Sequence, residues 1–214
     1  MCVGLVCWLN ANKISLNSSK TEFLVFRSQS RRLEFLPFLI LCSKRIYPSK
    51  SVKYLGVHVD EHLSWKYHVS SVATKLQRAN GMLSKIRHCV PLKSLLNIYH
   101  AIFSSHLSYA CQVWGTRDTT VAHRILTLQK AALRLITFSE PRSPSLPIFA
   151  ELGILKFFDL VKVLNIQFIH KFLNSNLPSD TLTSLKFDRI SHSHETRCNT
   201  IGLLIEPTVN TSTF

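Results

Sequence analysis

Ser64-Trp-Lys-Tyr-His-Val-Ser-Ser-Val-Ala-Thr-Lys-Leu-Gln-Arg-Ala-Asn-Gly-Met-Leu-Ser-Lys-Ile86 is the stretch whose reading decides the fold. Its apolar positions Trp65, Val69, Val72, Leu76, Ala79, Leu83 and Ile86 step by four and three residues in turn, which draws one continuous stripe along a single helix face. Ser64 stands where an N-cap belongs, and Lys66, Lys75, Arg78, Lys85 and Arg87 fall off the stripe. Beyond this helix Pro91 breaks the chain and opens another. Leu92 to Trp114 is apolar around most of its circumference, as a helix in the middle of a bundle would be. A third helix carries Val121, Ile125, Leu128, Ala132 and Leu135 on its stripe, with Lys130 and Arg134 one turn apart on another face.

Upstream the period is shorter. Gly4 to Lys13 reads as the end of a helix, and Ser15-Leu-Asn-Ser-Ser19 as a turn built from short polar side chains. Thr21–Arg27 and Val52–Val59 read as strands, the second reached from the apolar run Leu33–Cys42 and with Gly56 at a point of close backbone approach. Downstream, Ser139-Glu-Pro-Arg-Ser-Pro-Ser-Leu-Pro147 reads as a linker, followed by a helix over Leu155–Leu173 and a turn at Asn174–Pro178. The expected class is α+β, mostly α. The expected parts are 1–60 with a small sheet, 61–138 a helical bundle, 139–150 a connector, 151–190 a second helical region, and 191–214 a poorly ordered tail.

Charge narrows the function. The chain has 214 residues and a formal charge of +14, concentrated in residues 1–100, where 15 Lys and Arg face 4 Asp and Glu. Residues 151–214 are balanced, with 6 of each sign. Such a field gathers polyanions, so nucleic acid is the favoured partner and an anionic membrane surface the second choice. The six cysteines form no Cys-x-x-Cys pair, which excludes a zinc ribbon and suits buried thiols in a reducing compartment. Neither His58, His62 and His68 nor His192, His194 and Cys198 completes a metal site, so no metal is expected. Met1–Leu9 lacks the charged leader of a signal peptide, and Leu33–Cys42 is too short to cross a bilayer. The expected location is intracellular, cytoplasmic or nuclear, and not secreted. No Gly-rich phosphate loop or nucleophile elbow is present, and no small-molecule substrate is expected.

Two segments carry a family resemblance. Trp8-Leu-Asn-Ala-Asn-Lys-Ile-Ser-Leu-Asn-Ser-Ser-Lys-Thr21 resembles the stretch after the catalytic Asp-Asp hairpin of LINE-type (non-LTR, jockey-like) reverse transcriptases. Val52-Lys-Tyr-Leu-Gly-Val-His-Val-Asp60, with Leu63-Ser-Trp-Lys66 and His68, resembles their primer-grip strand and the entry to the thumb. Ile98-Tyr99, His106-Leu-Ser-Tyr109, Val113-Trp-Gly115, Leu128-Gln-Lys-Ala-Ala-Leu-Arg134, Leu152-Gly-Ile-Leu155 and Thr196-Arg197 follow in the family's order.

The resemblance implies a palm remnant over 1–60, a thumb over 61–138 and a connection region beyond. It implies RNA or DNA template–primer as partner, held through the backbone, and possible pairing with the other half of a polymerase. It places Lys20 at the palm lysine and Lys53, Tyr54 and Gly56 at the primer grip. Lys75, Arg78, Lys85, Arg87, Lys130 and Arg134 would track phosphates from the thumb. The paired carboxylates that hold catalytic magnesium in the family lie upstream of the matched segment, so no catalytic residue is assigned, and magnesium is expected only for the intact polymerase. Asp60-Glu61, the one adjacent acidic pair, reads as a solvated turn opening the helix rather than a metal site. The expectation is a truncated reverse transcriptase that binds template–primer without polymerising. The alternative is a non-enzymatic helical domain that docks a protein.

Overall fold

The period change near residue 60 is a junction between a β-hairpin and a long helix. The computed structural model describes residues 3–17, 20–30, 37–41, 44–115 and 119–174. Calls on residues 31–36, on the turn through Pro178, on His192, His194 and Cys198, and on the tail lie outside them, as does the side chain of Val121. The chain divides into two compact units, Met1–Lys162 and Val163–Phe214. In the second, the described residues are the closing turns of a helix that begins in the first.

Helix α1 (Val3–Ala11) precedes two antiparallel strand pairs. Strands β1 (Leu39–Leu41) and β2 (Lys44–Ile46) form one, with Leu39 opposite Ile46. Strands β3 (Ser51–Tyr54) and β4 (Val57–Asp60) form the other, with Ser51 opposite Asp60 and Lys53 opposite His58. Val52–Val59 is therefore two strands, not the single strand expected. Leu55 and Gly56 both have positive φ (45° and 83°), the pattern of a two-residue hairpin loop whose twist matches its strands. Gly56 thus serves the turn itself. Leu55 pays steric strain there, and its carbonyl accepts a hydrogen bond from the Tyr109 hydroxyl. Thr21–Arg27 joins no ladder. It runs extended beside the hairpin through isolated bonds, Ser49 N–H to Phe23 carbonyl and Arg27 N–H to Glu61 carbonyl, each 2.9 Å.

Helix α2 (Lys66–Ile86) spans 21 residues, about 31 Å at 1.5 Å each. Its stripe is as expected: Trp65, Val69, Val72, Leu76, Ala79 and Leu83 are buried, and Ile86 half-buried. The cap is not Ser64. The Asp60 carboxylate accepts hydrogen bonds from the backbone of His62, Ser64 and Trp65 and from the Ser64 hydroxyl, at 2.9–3.2 Å. That grip holds Leu63 and Trp65 in left-handed backbone (φ 51° and 61°). Burial works to raise the Asp60 pKa, but these bonds outweigh it and hold the carboxyl below its ordinary value.

Helix α3 (Leu92–Ile98) continues through a π-helical turn, Tyr99–Ser104, into α4 (Ser105–Ser108). Its buried side chains, Leu95, Tyr99, Phe103 and Leu107, recur every fourth residue. Such a row drifts around an α-helix of about 3.6 residues per turn, and the wider π turn compensates. Tyr99 and Phe103 stack with centroids 5.1 Å apart. This helix is not apolar-buried all round, since Leu92 is exposed and Leu96, Ile98 and Ile102 are half-buried. Short α5 (Cys111–Trp114) follows, and the Trp114 ring stacks on Phe157 at 5.4 Å. A Cβ on Gly115 would meet the Cys111 carbonyl at 2.5 Å and Val161 at 2.9 Å, so only glycine fits this crossing.

Helix α6 (Thr119–Ile136) packs along α2, and the Asn80 amide donates to the Leu128 carbonyl across that seam. Its buried face is Ala122, Ile125, Leu126, Gln129, Ala132, Leu133 and Ile136, while Leu128 and Leu135 are half-buried. The face is turned by about one residue from the expected one because Gln129 sits in the core. Its amide donates to the Leu155 carbonyl (2.9 Å) and the Tyr99 hydroxyl (3.3 Å) and accepts from the Phe157 N–H (2.9 Å). That last bond satisfies an orphan donor at the start of α8 (Phe157–Leu173). Burial pushes the Tyr99 phenol up to about 12, and the Gln129 bond works the other way. The connector also differs from expectation. Arg134 ties it down by two hydrogen bonds to the Ser143 carbonyl (2.8 and 3.1 Å), and Ser145–Glu151 is helix α7 with Ile148 and Phe149 buried. Pro147 falls in its first turn, where a missing N–H costs nothing.

Replacing Gln129 with Leu removes three hydrogen bonds and strands the Phe157 N–H and the Leu155 carbonyl. The expected loss is about 2–6 kcal/mol, at roughly 1–3 kcal/mol for each of the two orphaned groups, read as a lower urea midpoint at unchanged slope. His68 yields a pH dependence. It is 3% exposed, accepts the His58 N–H at Nδ1 (3.3 Å) and, among the described residues, has no partner at Nε2. Burial first, then His58 and Lys75, pushes its pKa down from 6.5 to about 4. Below 6.5 the unfolded chain takes up a proton that folded His68 refuses. Stability is therefore full above 6.5 and falls as pH drops towards 4, by up to about 3 kcal/mol. Urea melts from pH 7.5 to 4.5 check this, and His68→Gln should flatten the slope.

Candidate nucleic-acid interface

The outer face of α2 is where charge, hydroxyls and shape coincide. Residues 62–117 contain no Asp or Glu, so the helix carries no acid. Opposite the buried stripe, Tyr67, Ser71, Lys75, Arg78, Met82 and Lys85 recur at steps of four, four, three, four and three. The row runs about 27 Å from Tyr67 to Lys85, and its cations, Lys75, Arg78 and Lys85, occupy about the last 15 Å. Two shallow clefts open on this face. One, of about 330 Å³, is lined by Tyr67, Ser70, Ser71, Thr74, Lys75 and Arg78. The other, of about 560 Å³, is lined by Lys50, Ser51, Asp60, Glu61, His62, Ser64, Lys66, Tyr67 and Ser70, where the hairpin meets the helix.

Packing of β4 on the start of α2 brings two of the expected site residues to one place. Lys53 is the cross-strand partner of His58. The His58 ring meets Tyr67 edge-on at 4.9 Å and lies 6.2 Å from His68, which in turn abuts Trp114 at 5.4 Å. The His58 pKa is lowered by burial first and then by the charges of Lys53 and Lys75, so both ammonium groups act on one imidazole. Lys75 and Arg78 share the smaller cleft, and Lys85 is exposed in the last turn of α2.

The remaining candidates are placed differently. Tyr54 is 68% exposed at the hairpin tip beside Gly56, against which the Tyr109 ring rests. The Arg87 guanidinium lies over the Phe138 ring at 4.9 Å and donates to His88, so its charge is braced at the far end of α2. Arg134 is committed to the connector. Lys130 is half-buried on α6, and Lys20 stands exposed in the turn before the extended segment; neither lines either cleft.

The acidic pair is engaged in structure. Asp60 caps α2, and Glu61 pairs with Arg27 at 2.9 Å, whose hydrogen bond pulls the Glu61 pKa down. Among the described residues no group of three or more His, Cys, Asp or Glu could hold a metal, and no helix is long and apolar enough to cross a membrane. Reading the sequence missed Tyr67, Ser70, Ser71 and Thr74. The signal was the face opposite the Trp65 stripe, but uncharged hydroxyls do not stand out in a count of charge.

No family model and no solved structure matches the chain. It is similar to a probable RNA-directed DNA polymerase from transposon X-element of Drosophila melanogaster, 29% identical over 136 residues, which cover 62% of this chain and 15% of that protein. It is also similar to the RNA-directed DNA polymerase from mobile element jockey of Drosophila funebris, 28% over 134 residues, 61% of this chain and 14% of that one. The jockey enzyme of Drosophila melanogaster is 26% identical over a stretch of the same length. The match thus spans about one-seventh of these relatives. Together these three similarities support a reverse-transcriptase region of the jockey-like, non-LTR kind in this chain.

Proposed function

We propose that this region is the thumb-side, nucleic-acid-holding part of an RNA-directed DNA polymerase, gripping template–primer through the sugar–phosphate backbone. The observation that carries the reading is the acid-free outer face of α2, with Lys75, Arg78 and Lys85 in a row and Lys53 brought alongside by the hairpin. Cations in a line neutralise phosphates and release counterions, which sets affinity without reading sequence. On this reading β3 and β4 form the primer-grip element and α2 the leading thumb helix. The similarity to polymerases named for X-element and jockey supports it.

The chemical step is assigned elsewhere. Phosphoryl transfer by two metals needs carboxylates free to bind cations. Asp60 and Glu61 do not fit that role, because one is spent on the helix cap and the other on Arg27. A second reading, a helical domain that docks a protein, is favoured by the exposed Tyr54, Leu55 and Tyr109 at the hairpin tip. The two readings differ in their salt dependence.

The test is fluorescence anisotropy of the full chain with a labelled RNA–DNA template–primer across a salt series. Affinity should fall steeply as salt rises, with little preference for sequence. Lys75→Ala and Arg78→Ala should each weaken binding and reduce the log–log slope by about one. Binding that ignores salt, or variants that leave the slope unchanged, would overturn the proposal.

A further inference from the structure

The two clefts meet at Tyr67 and Ser70. Tyr67 lines both, and its ring is 63% exposed although aromatic rings ordinarily bury most of their area. It is braced, since the His58 ring stands edge-on to it at 4.9 Å and 84°. An exposed aromatic ring, held on one edge and set beside Lys75 and Arg78, is the physical description of a stacking platform for single-stranded nucleic acid.

We propose that Tyr67 stacks one unpaired nucleobase, while the phosphates that follow it run along Lys75 and Arg78. The proposal rests on the nucleic-acid reading above and adds a contact of different physics. The clefts divide the work by their chemistry. The larger one has Lys50 and Lys66 beside the hydroxyls of Ser51 and Ser70, its Asp60 and Glu61 being engaged in the cap and the Arg27 pair, and so presents donors and hydroxyl acceptors to the polar edge of a base. The smaller one has two cations, the hydroxyls of Ser70, Ser71 and Thr74 beside Tyr67, and no carboxylate, which suits phosphate and sugar oxygens. Stacking tolerates any base, because every base has a π face. The ligand class is therefore a single strand, or the unpaired end of a duplex, without sequence preference.

Stacking and charge neutralisation separate in one experiment. The full chain is titrated with a short single-stranded oligonucleotide carrying 2-aminopurine at successive positions, with affinity followed across a salt series. Wild type should quench the probe at one position. Tyr67→Phe should keep both quench and affinity, whereas Tyr67→Leu, which keeps apolar bulk but no π face, should lose the quench and bind about ten-fold more weakly. The salt slope should be the same in all three, because no charge has changed. If Tyr67→Leu quenches and binds like wild type, or if its salt slope drops, the stacking proposal falls while the thumb reading stands. If wild type binds no nucleic acid at any salt, both fall together. Matching thermal melts for the three proteins show that the comparison is made on folded chains.

Discussion

A single carboxylate joins the β and α parts of this protein. Asp60 ends β4 and gathers the donors of His62, Ser64 and Trp65, so the chain turns through two left-handed residues and enters α2 at once. The next residue, Glu61, ties Arg27 and with it the extended segment to the same corner. Everything proposed for the outer surface follows from that corner. The direction in which α2 leaves the hairpin decides that Lys53 and Lys75 act on one imidazole, and that Tyr67 stands where two clefts join. A solvated acidic pair would leave this angle loose. A pair spent on hydrogen bonds holds it.

The opposite side of α2 depends on a buried polar group. Gln129 lies in a core made almost wholly of apolar side chains, where its amide donates two hydrogen bonds and accepts one. Apolar contacts alone tolerate small slips of one helix along another. A satisfied amide that reaches Tyr99, Leu155 and Phe157 does not, because a slip would leave buried donors unpaired. This network therefore sets the register between α6, the π-turn helix and the start of α8. The π turn has a matching role, keeping Tyr99 in reach of Gln129 while Phe103 stacks behind it.

Between corner and core, α2 has two faces with different chemistry. The inner face is continuous apolar stripe and the outer one is cationic and hydroxylated. Like charges along one face repel, and nothing acidic on the helix relieves them. Packing of the inner face onto α6 and the π-turn helix supplies the stability that this arrangement costs. A bound polyanion would relieve the repulsion.

The sequence alone determined the features governed by local period. The Trp65–Ile86 stripe, the mostly helical class, the basic surplus and the helix to Leu173 are legible because each repeats a signal over many residues. Features resting on one residue were decided by tertiary structure. Leu-Gly is a weak hairpin signal beside Asn-Gly, so Val52–Val59 looks like one strand until Tyr109 holds Leu55 in place. Gln129 looks like a surface residue until three partners surround it, and the face of α6 is misplaced with it. Prolines make 139–150 look like a linker until Arg134 and the burial of Ile148 and Phe149 order it. Arg87 and Arg134 look like free cations until Phe138 and Ser143 engage them. A repeated pattern survives without its neighbours, whereas the role of a single side chain is set by the partners that folding brings to it.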